Sequence, residues 1–186
     1  MSGNTSHFAL ACVLASLVLS SQGALSAGFP DTVKAVTLKP NTTVTIEGNL
    51  AQGISVSDLS WASNSAVACF PATQNSHYRA PHALFHVKLP PHSILKVKLI
   101  PADRGKPMSL YAYQMTADRF DVVPNLSRVV TCEASYPSDR PFVGRIEDGT
   151  RKVELNAIND NYNVVIGVSG NEGASGSFSL ELTLKQ

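Results

Sequence analysis

Four of the chain's five histidines, His77, His82, His86 and His92, fall within one short stretch. Imidazole is the side chain best suited to hold zinc or to move a proton near neutral pH. Chelation needs the rings to converge. On an extended strand His82, Leu84 and His86 share a face, which sets the two imidazoles about 13 Å apart along the strand. They cannot grip one metal by themselves, and His92 follows Pro90-Pro91 in a turn. The four histidines are therefore expected to face solvent from strands and loops, without forming a zinc site.

Serine chemistry has one candidate stretch. Gly167-Val168-Ser169-Gly170-Asn171 comes near a G-x-S-x-G elbow but lacks its last glycine. It also lies between β-type patterns, whereas the elbow needs a strand leading into a helix, so it reads as a loop. Nothing poises a base beside a nucleophile, and no catalytic residue is assigned.

Loop carboxylates offer harder ligands. Asp118 and Asp121, Glu147 and Asp148, and Asp160 within Asn159-Asp160-Asn161 carry oxygens that suit calcium. No D-x-D-x-D-G run organises them, so no cofactor is assigned and calcium is the one ion this set would take. Tyr111 and Tyr113 alternate with Leu110 and Ala112 and share one strand face. They serve either as a binding platform or as a cover over the core edge with wet hydroxyls.

These residues must be positioned by strands, because period-two patterns dominate. Phe178, Leu180, Leu182 and Leu184 alternate with Ser179, Glu181, Thr183 and Lys185, the pattern of a half-buried antiparallel strand. Leu95 to Leu99 and Val153 to Ala157 read the same way. Further strands are expected over Val33 to Leu38, Thr43 to Glu47, Ala83 to Leu89, Met108 to Gln114 and Tyr162 to Val168. About eight strands split by turn signals predict an all-β fold, an antiparallel sandwich or jelly roll. Pro90-Pro91 stops one ladder and marks a turn between two strands that could pair as a hairpin. Gly170 to Gly176 is read as the loop of a closing hairpin from Tyr162 to Leu184.

The apolar, uncharged run from Phe8 to Leu19, followed by small residues to Ala27, has the layout of a secretory signal peptide. At about a dozen residues the run is shorter than the ~20 a membrane-crossing helix needs. Residues 1–27 are expected to leave and 28–186 to form one domain in the periplasm or outside the cell. The formal net charge of +1 gives no electrostatic case for nucleic acid. Once Cys12 departs with the leader, Cys69 and Cys132 are left, an even pair that in an exported chain is most simply a disulfide. Each cysteine lies in one of two long excursions, Asn49 to Pro81 and Met115 to Thr150, which the bridge would tie together.

Three stretches, ALFHVKLPPHSILKVKLIP from Ala83 to Pro101, MSLYAYQ from Met108 to Gln114, and NYNVVIGVSGNEGASGSFSLEL from Asn161 to Leu182, resemble the bacterial pre-peptidase C-terminal domain. That family is a small β-sandwich appended to secreted proteases and other exported proteins. The chain departs from it in carrying a cysteine pair, and no peptidase domain is expected before it. The resemblance implies an accessory module that binds and does not catalyse, and its collagen-binding members carry calcium. It cannot name a ligand.

The reading that follows is an exported, monomeric, non-catalytic binding protein for a protein or glycan. Its surface is expected on the two long excursions, at His77, Tyr78, Arg79, Tyr136 and Arg140, and away from the closing hairpin. The alternatives are a small secreted hydrolase using the clustered histidines, or a structural component of the envelope.

Overall fold

The computed structural model describes residues 1, 28–61, 72–126, 129–140, 144 and 147–186. The expected leader, apart from residue 1, and Cys69 lie outside the described residues. Among the described residues nine strands run in chain order: β1 (Val33–Ala35), β2 (Thr42–Asn49), β3 (Ala83–Leu89), β4 (Ser93–Pro101), β5 (Met108–Thr116), β6 (Thr131–Ser135), β7 (Arg151–Ala157), β8 (Tyr162–Gly170) and β9 (Ser177–Lys185). They form two sheets, β1-β3-β8-β5-β6 and β2-β9-β4-β7. This is the expected all-β sandwich, with β6 as a strand that lies inside the second long excursion. Among the described residues no helix is long and apolar enough to cross a membrane.

Two expected hairpins are corrected. β3 and β4 lie in different sheets, and so do β8 and β9. Alternation says which side chains point inward, but an inward face serves either sheet equally well. The turn after Pro90-Pro91, where His92 takes a φ of 56°, therefore carries the chain across the sandwich. Asn171 to Gly176 does the same. The expectation of purely antiparallel pairing also fails at one edge, since β1 runs parallel to β3.

Between the sheets lies a conventional core. Leu95, Val97 and Leu99 from β4 and Phe178, Leu180, Leu182 and Leu184 from β9 meet Phe85, Val87, Leu110, Ala112, Val164 and Ile166 from the five-stranded sheet. Each of these valine, leucine, isoleucine and phenylalanine side chains, fully removed from water, contributes roughly 1.5–3 kcal/mol.

The five-stranded sheet is covered on its other face as well. Tyr111, Tyr113, Met115, Leu84 and Val165 point away from the first core and are buried beneath Trp61, Tyr78, Val123, Leu126 and Val129. The long excursions thus form a third layer, which explains why β5 and β8 are buried on both faces. The layer is pinned by polar contacts: Tyr113 Oη donates to the Asp121 carbonyl at 3.2 Å, and Asn163 Nδ2 donates to the carbonyls of Ala117 and Arg119 at 3.1 and 2.6 Å. Tyr111 lies so close over Gly167 that a Cβ there would sit 1.9 Å from Tyr111 Cζ. Glycine at that position is what lets the ring lie flat against the sheet.

Candidate functional site

The loops at one end of the sandwich bring together His77, Tyr78, Arg79 and Tyr136 of the residues singled out from the sequence. The 3-10 helix Ala72–Tyr78 ends at His77 and Tyr78, the segment after β6 supplies Tyr136 and Asp139, and the turn after β8 supplies Asn171 and Glu172. The His77 side chain is 3% exposed, with Nδ1 at 3.0 Å from Asn171 Oδ1 and Nε2 at 3.1 Å from Asp139 Oδ1. The second contact is poorly directed as a hydrogen bond. Tyr136 stacks on the imidazole at 4.9 Å between centroids, and Tyr78 meets Tyr136 edge-on at 6.2 Å. His77 thus clamps three chain segments that are far apart in sequence.

Five residues were expected to present a binding surface, and they divide. Arg79 and Arg140 are exposed and Tyr136 is half-buried, whereas His77 and Tyr78 are buried. Their rings fill the space under the third layer, because a short helix packed on a sheet must put one face inward. The turn after β8 lies beside the same loops: Glu172 lies 3.9 Å from Arg79, and Asn171 holds His77. Beside that pair is an open depression of about 380 Å³ lined by Val56, Ser57, Leu59, Arg79 and Glu172.

Arg151 closes the same end from below. β6 pairs with β5 only from Leu110 onward, which leaves the Met108 carbonyl beyond the end of β6. Arg151 Nε donates to that carbonyl at 3.1 Å, while Nη1 donates to the Thr150 carbonyl at 3.0 Å and to Glu147. Glu147 is thereby committed to an ion pair.

The other histidines have separate surroundings. His82 was expected to face solvent but is buried, 1% exposed. Its Nε2 lies 3.0 Å from the Tyr78 carbonyl and its Nδ1 2.9 Å from Tyr111 Oη. A carbonyl can only accept, so Nε2 carries the hydrogen and Nδ1 accepts from the tyrosine. Burial lowers the pKa of His82 to about 4 and raises that of Tyr111 well above its ordinary range, so both are neutral near pH 7. His86 packs on Phe29 at 4.5 Å between centroids, and burial lowers its pKa, with Lys88 adding to the effect. His92 is exposed in its turn. These rings do not converge.

The calcium candidates do not converge either. Asp121 forms a two-oxygen pair with Arg119 at 2.7–2.9 Å, Asp118 accepts from Thr116 Oγ1 at 2.5 Å, and Asp148 accepts from the Thr150 N–H at 2.9 Å. That N–H is the main reason the Asp148 carboxyl titrates below its usual range. Asp160 is exposed in the turn after β7. Among the described residues no three His, Cys, Asp or Glu side chains are placed to share a metal ion.

Ser169 lies within β8, not in a loop, and its Oγ donates to the Ala80 carbonyl at 2.9 Å. A buried hydroxyl committed to a backbone acceptor is not poised to attack. Cys132 sits on β6, buried against Tyr113 and not in a loop, and its sulfur is not without a partner.

No family model matches the chain, and no curated protein matches it in sequence. Solved structures that align with it include the pre-peptidase C-terminal domain of a collagenase from Bacillus anthracis, at 14% identity and a TM-score of 0.36, covering 82% of this chain and 96% of that one. A periplasmic inhibitor of g-type lysozyme from Aeromonas hydrophila aligns at 9% identity and a TM-score of 0.39, covering 82% and 97%. A surface-associated copper-binding protein of Methylomicrobium album aligns at 9% identity and a TM-score of 0.44, covering 81% and 98%.

Proposed function

We propose that this chain is an exported, non-catalytic binding protein that recognises another protein at the cell envelope or outside the cell, through the end of the sandwich built around His77. The observation that carries the reading is the His77 clamp. An imidazole serving as a base needs a free nitrogen facing a nucleophile, and here the two nitrogens face Asn171 and Asp139. The clamp spends its chemistry on holding three loops in register, which favours binding by lowering the ordering cost at association.

A protein is favoured over a glycan as the ligand. Tyr78, Tyr111, Tyr113 and Trp61 are all buried, which leaves no exposed aromatic platform among them for a sugar ring to stack on. The depression beside the clamp instead joins apolar Val56 and Leu59 to the loosely paired, exposed charges of Arg79 and Glu172. Apolar centres with a charged rim are the ordinary composition of protein interfaces. The disulfide between Cys69 and Cys132 belongs to the same reading, because it would anchor the third layer on which the clamp is built.

The test is cross-linking and capture from the native periplasm or medium with wild type, Arg79→Glu and Leu59→Asp, alongside Lys185→Glu at the far end of β9 as a control. Loss of one specific protein from the first two variants, with its retention by the control, is the expected outcome. Retention by all of the variants would remove the site from this end of the molecule.

A further inference from the structure

The two sheets present four edge strands, β1, β6, β2 and β7, and three of them are blunted. β7 lies along β5 and β6 of the other sheet, and Gln114 Nε2 and Arg151 Nε bridge the sheets there by donating to the Asn156 and Met108 carbonyls. That contact closes the edges of β6 and β7 against each other. β1 is only three residues long. The fourth edge, β2, runs for eight residues in unbroken register with β9, and no proline, lysine or bulge interrupts it between Thr42 and Asn49. Edge strands ordinarily carry such devices against pairing with another chain, and this one is left open to it.

The backbone of β2 is available at every second residue. Leu50 N–H bonds the Gly176 carbonyl, one step beyond the Asn49 to Ser177 pair. On the other side of β9, Ala102 N–H bonds the Ser177 carbonyl, so odd-numbered residues of β9 serve β4 and even-numbered ones serve β2. Bonded and unbonded pairs alternate in an antiparallel ladder. Val44, Ile46 and Gly48 therefore bond β9, whereas Thr43, Thr45 and Glu47 turn their N–H and C=O groups to the outer edge. The side chains of Thr43 and Glu47 turn back to Thr183 and Ser179 of β9, both at 2.8 Å. Among the described residues no hydrogen bond reaches the main chain of these three from the open side. The inward face is incompletely covered as well, since Val44 and Ile46 stay half-buried, as do Val36 and Leu38 just before them.

We infer that β2 is a dimerisation edge: a second copy of this chain pairs with it antiparallel about a twofold axis at Thr45, in place of the monomer expected from the sequence. The strand is its own complement. Pairing centred on Thr45 sets threonine against threonine at the axis, a favourable cross-strand pair. On the inward face it sets Val44 against Ile46 of the second copy, so each chain completes the other's cover. Glu47 is the strand's one charged residue. It faces Thr43 of the second copy, which leaves the two Glu47 residues about 14 Å apart along the strands and out of conflict. A self-matching patch of this kind is what a closed twofold contact requires. The edge is independent of the surface around His77.

Sedimentation velocity of the mature chain at rising concentration is expected to show a monomer–dimer equilibrium. Thr45→Lys and Thr45→Glu, each shown by thermal denaturation to keep the wild-type fold, set like charges at the axis and should weaken the dimer about tenfold or more. An equimolar mixture of the two should dimerise again. Lys152→Glu, on the opposite edge strand of the same sheet, should dimerise as wild type does. Amide hydrogen exchange followed by NMR reads the same edge without a substitution: Thr43, Thr45 and Glu47 should exchange slowly in the concentrated protein and fast on dilution, while Val44 and Ile46 stay slow at both. A wild type that remains monomeric throughout, a mixture that does not restore the dimer, or fast exchange at those three amides within a dimer would overturn the inference. So would protection of the three amides that appears only when periplasmic extract is added, which would assign the edge to a different protein.

Discussion

Acid should unfold this protein through His82. Burial holds its folded-state pKa at about 4, against an ordinary value of 6.5. Below that ordinary value the unfolded chain takes up a proton at His82 that the folded chain refuses until much lower pH, so the unfolded state gains from acidification and stability falls. The contribution is fully present above 6.5 and is lost as the pH drops toward 4. Integrated from about pH 8 to about pH 5, a depression of this size costs about 2 kcal/mol. His86 is shifted in the same direction, so the comparison must isolate His82. His82→Asn does so, because its amide oxygen can still accept from Tyr111 while the side chain no longer titrates. That variant should lose roughly 1 kcal/mol at neutral pH from the bond to the Tyr78 carbonyl. Its urea midpoint should then fall less than wild type's between the two pH values, by the equivalent of about 2 kcal/mol. An equal fall in both proteins would refute the placement of His82 as a buried neutral ring.

Other outcomes test the third layer directly. Gly167→Ala should push Tyr111 off the sheet and lower stability by roughly 1–3 kcal/mol or more, read as a drop in Tm with a changed near-ultraviolet dichroism. Trp61, the single tryptophan and 2% exposed, should emit at short wavelength and resist iodide quenching until the protein unfolds. The mature chain, denatured without reductant, should react with no thiol reagent; two reactive thiols per chain would rule out the Cys69 to Cys132 bridge.

The strands were legible where one face is wet. Ser177 to Lys185 was read with its observed ends, since β9 alternates cleanly between core and solvent. β6 was missed because Thr131–Ser135 is short and mixes polar and apolar residues without a clear period. Sheet membership was not legible at all. The rows of MSLYAYQ and NVVIGVS, apolar at nearly every position, did hold a signal that was passed over: a strand with two apolar faces must be covered twice. From that alone Tyr111 and Tyr113 belong in a core, and something distant in sequence must cover them. The pairing of His77 with Asp139 and Asn171 had no sequence signal, because it depends on three loops meeting at one end of the sandwich.

The third layer decides where a partner can reach the molecule. Ordering long excursions costs roughly 1–2 kcal/mol of backbone entropy per residue. Trp61, Tyr78, Tyr111 and Tyr113 each remove a large ring from water, and their burial offsets that cost. The excursions are therefore held by what they cover, and their inward side chains are unavailable to a ligand. The uncovered sheet surface belongs to β2, β9, β4 and β7, whose outward residues are threonines, serines and paired charges. Such a face is soluble and mostly self-neutralised, so a partner gains little from it except where a charge is left over. Charges are more loosely held at Arg79 and Glu172 beside the clamp. Recognition there should weaken with salt, since screening acts on exposed charges and barely touches the buried contacts that keep the fold.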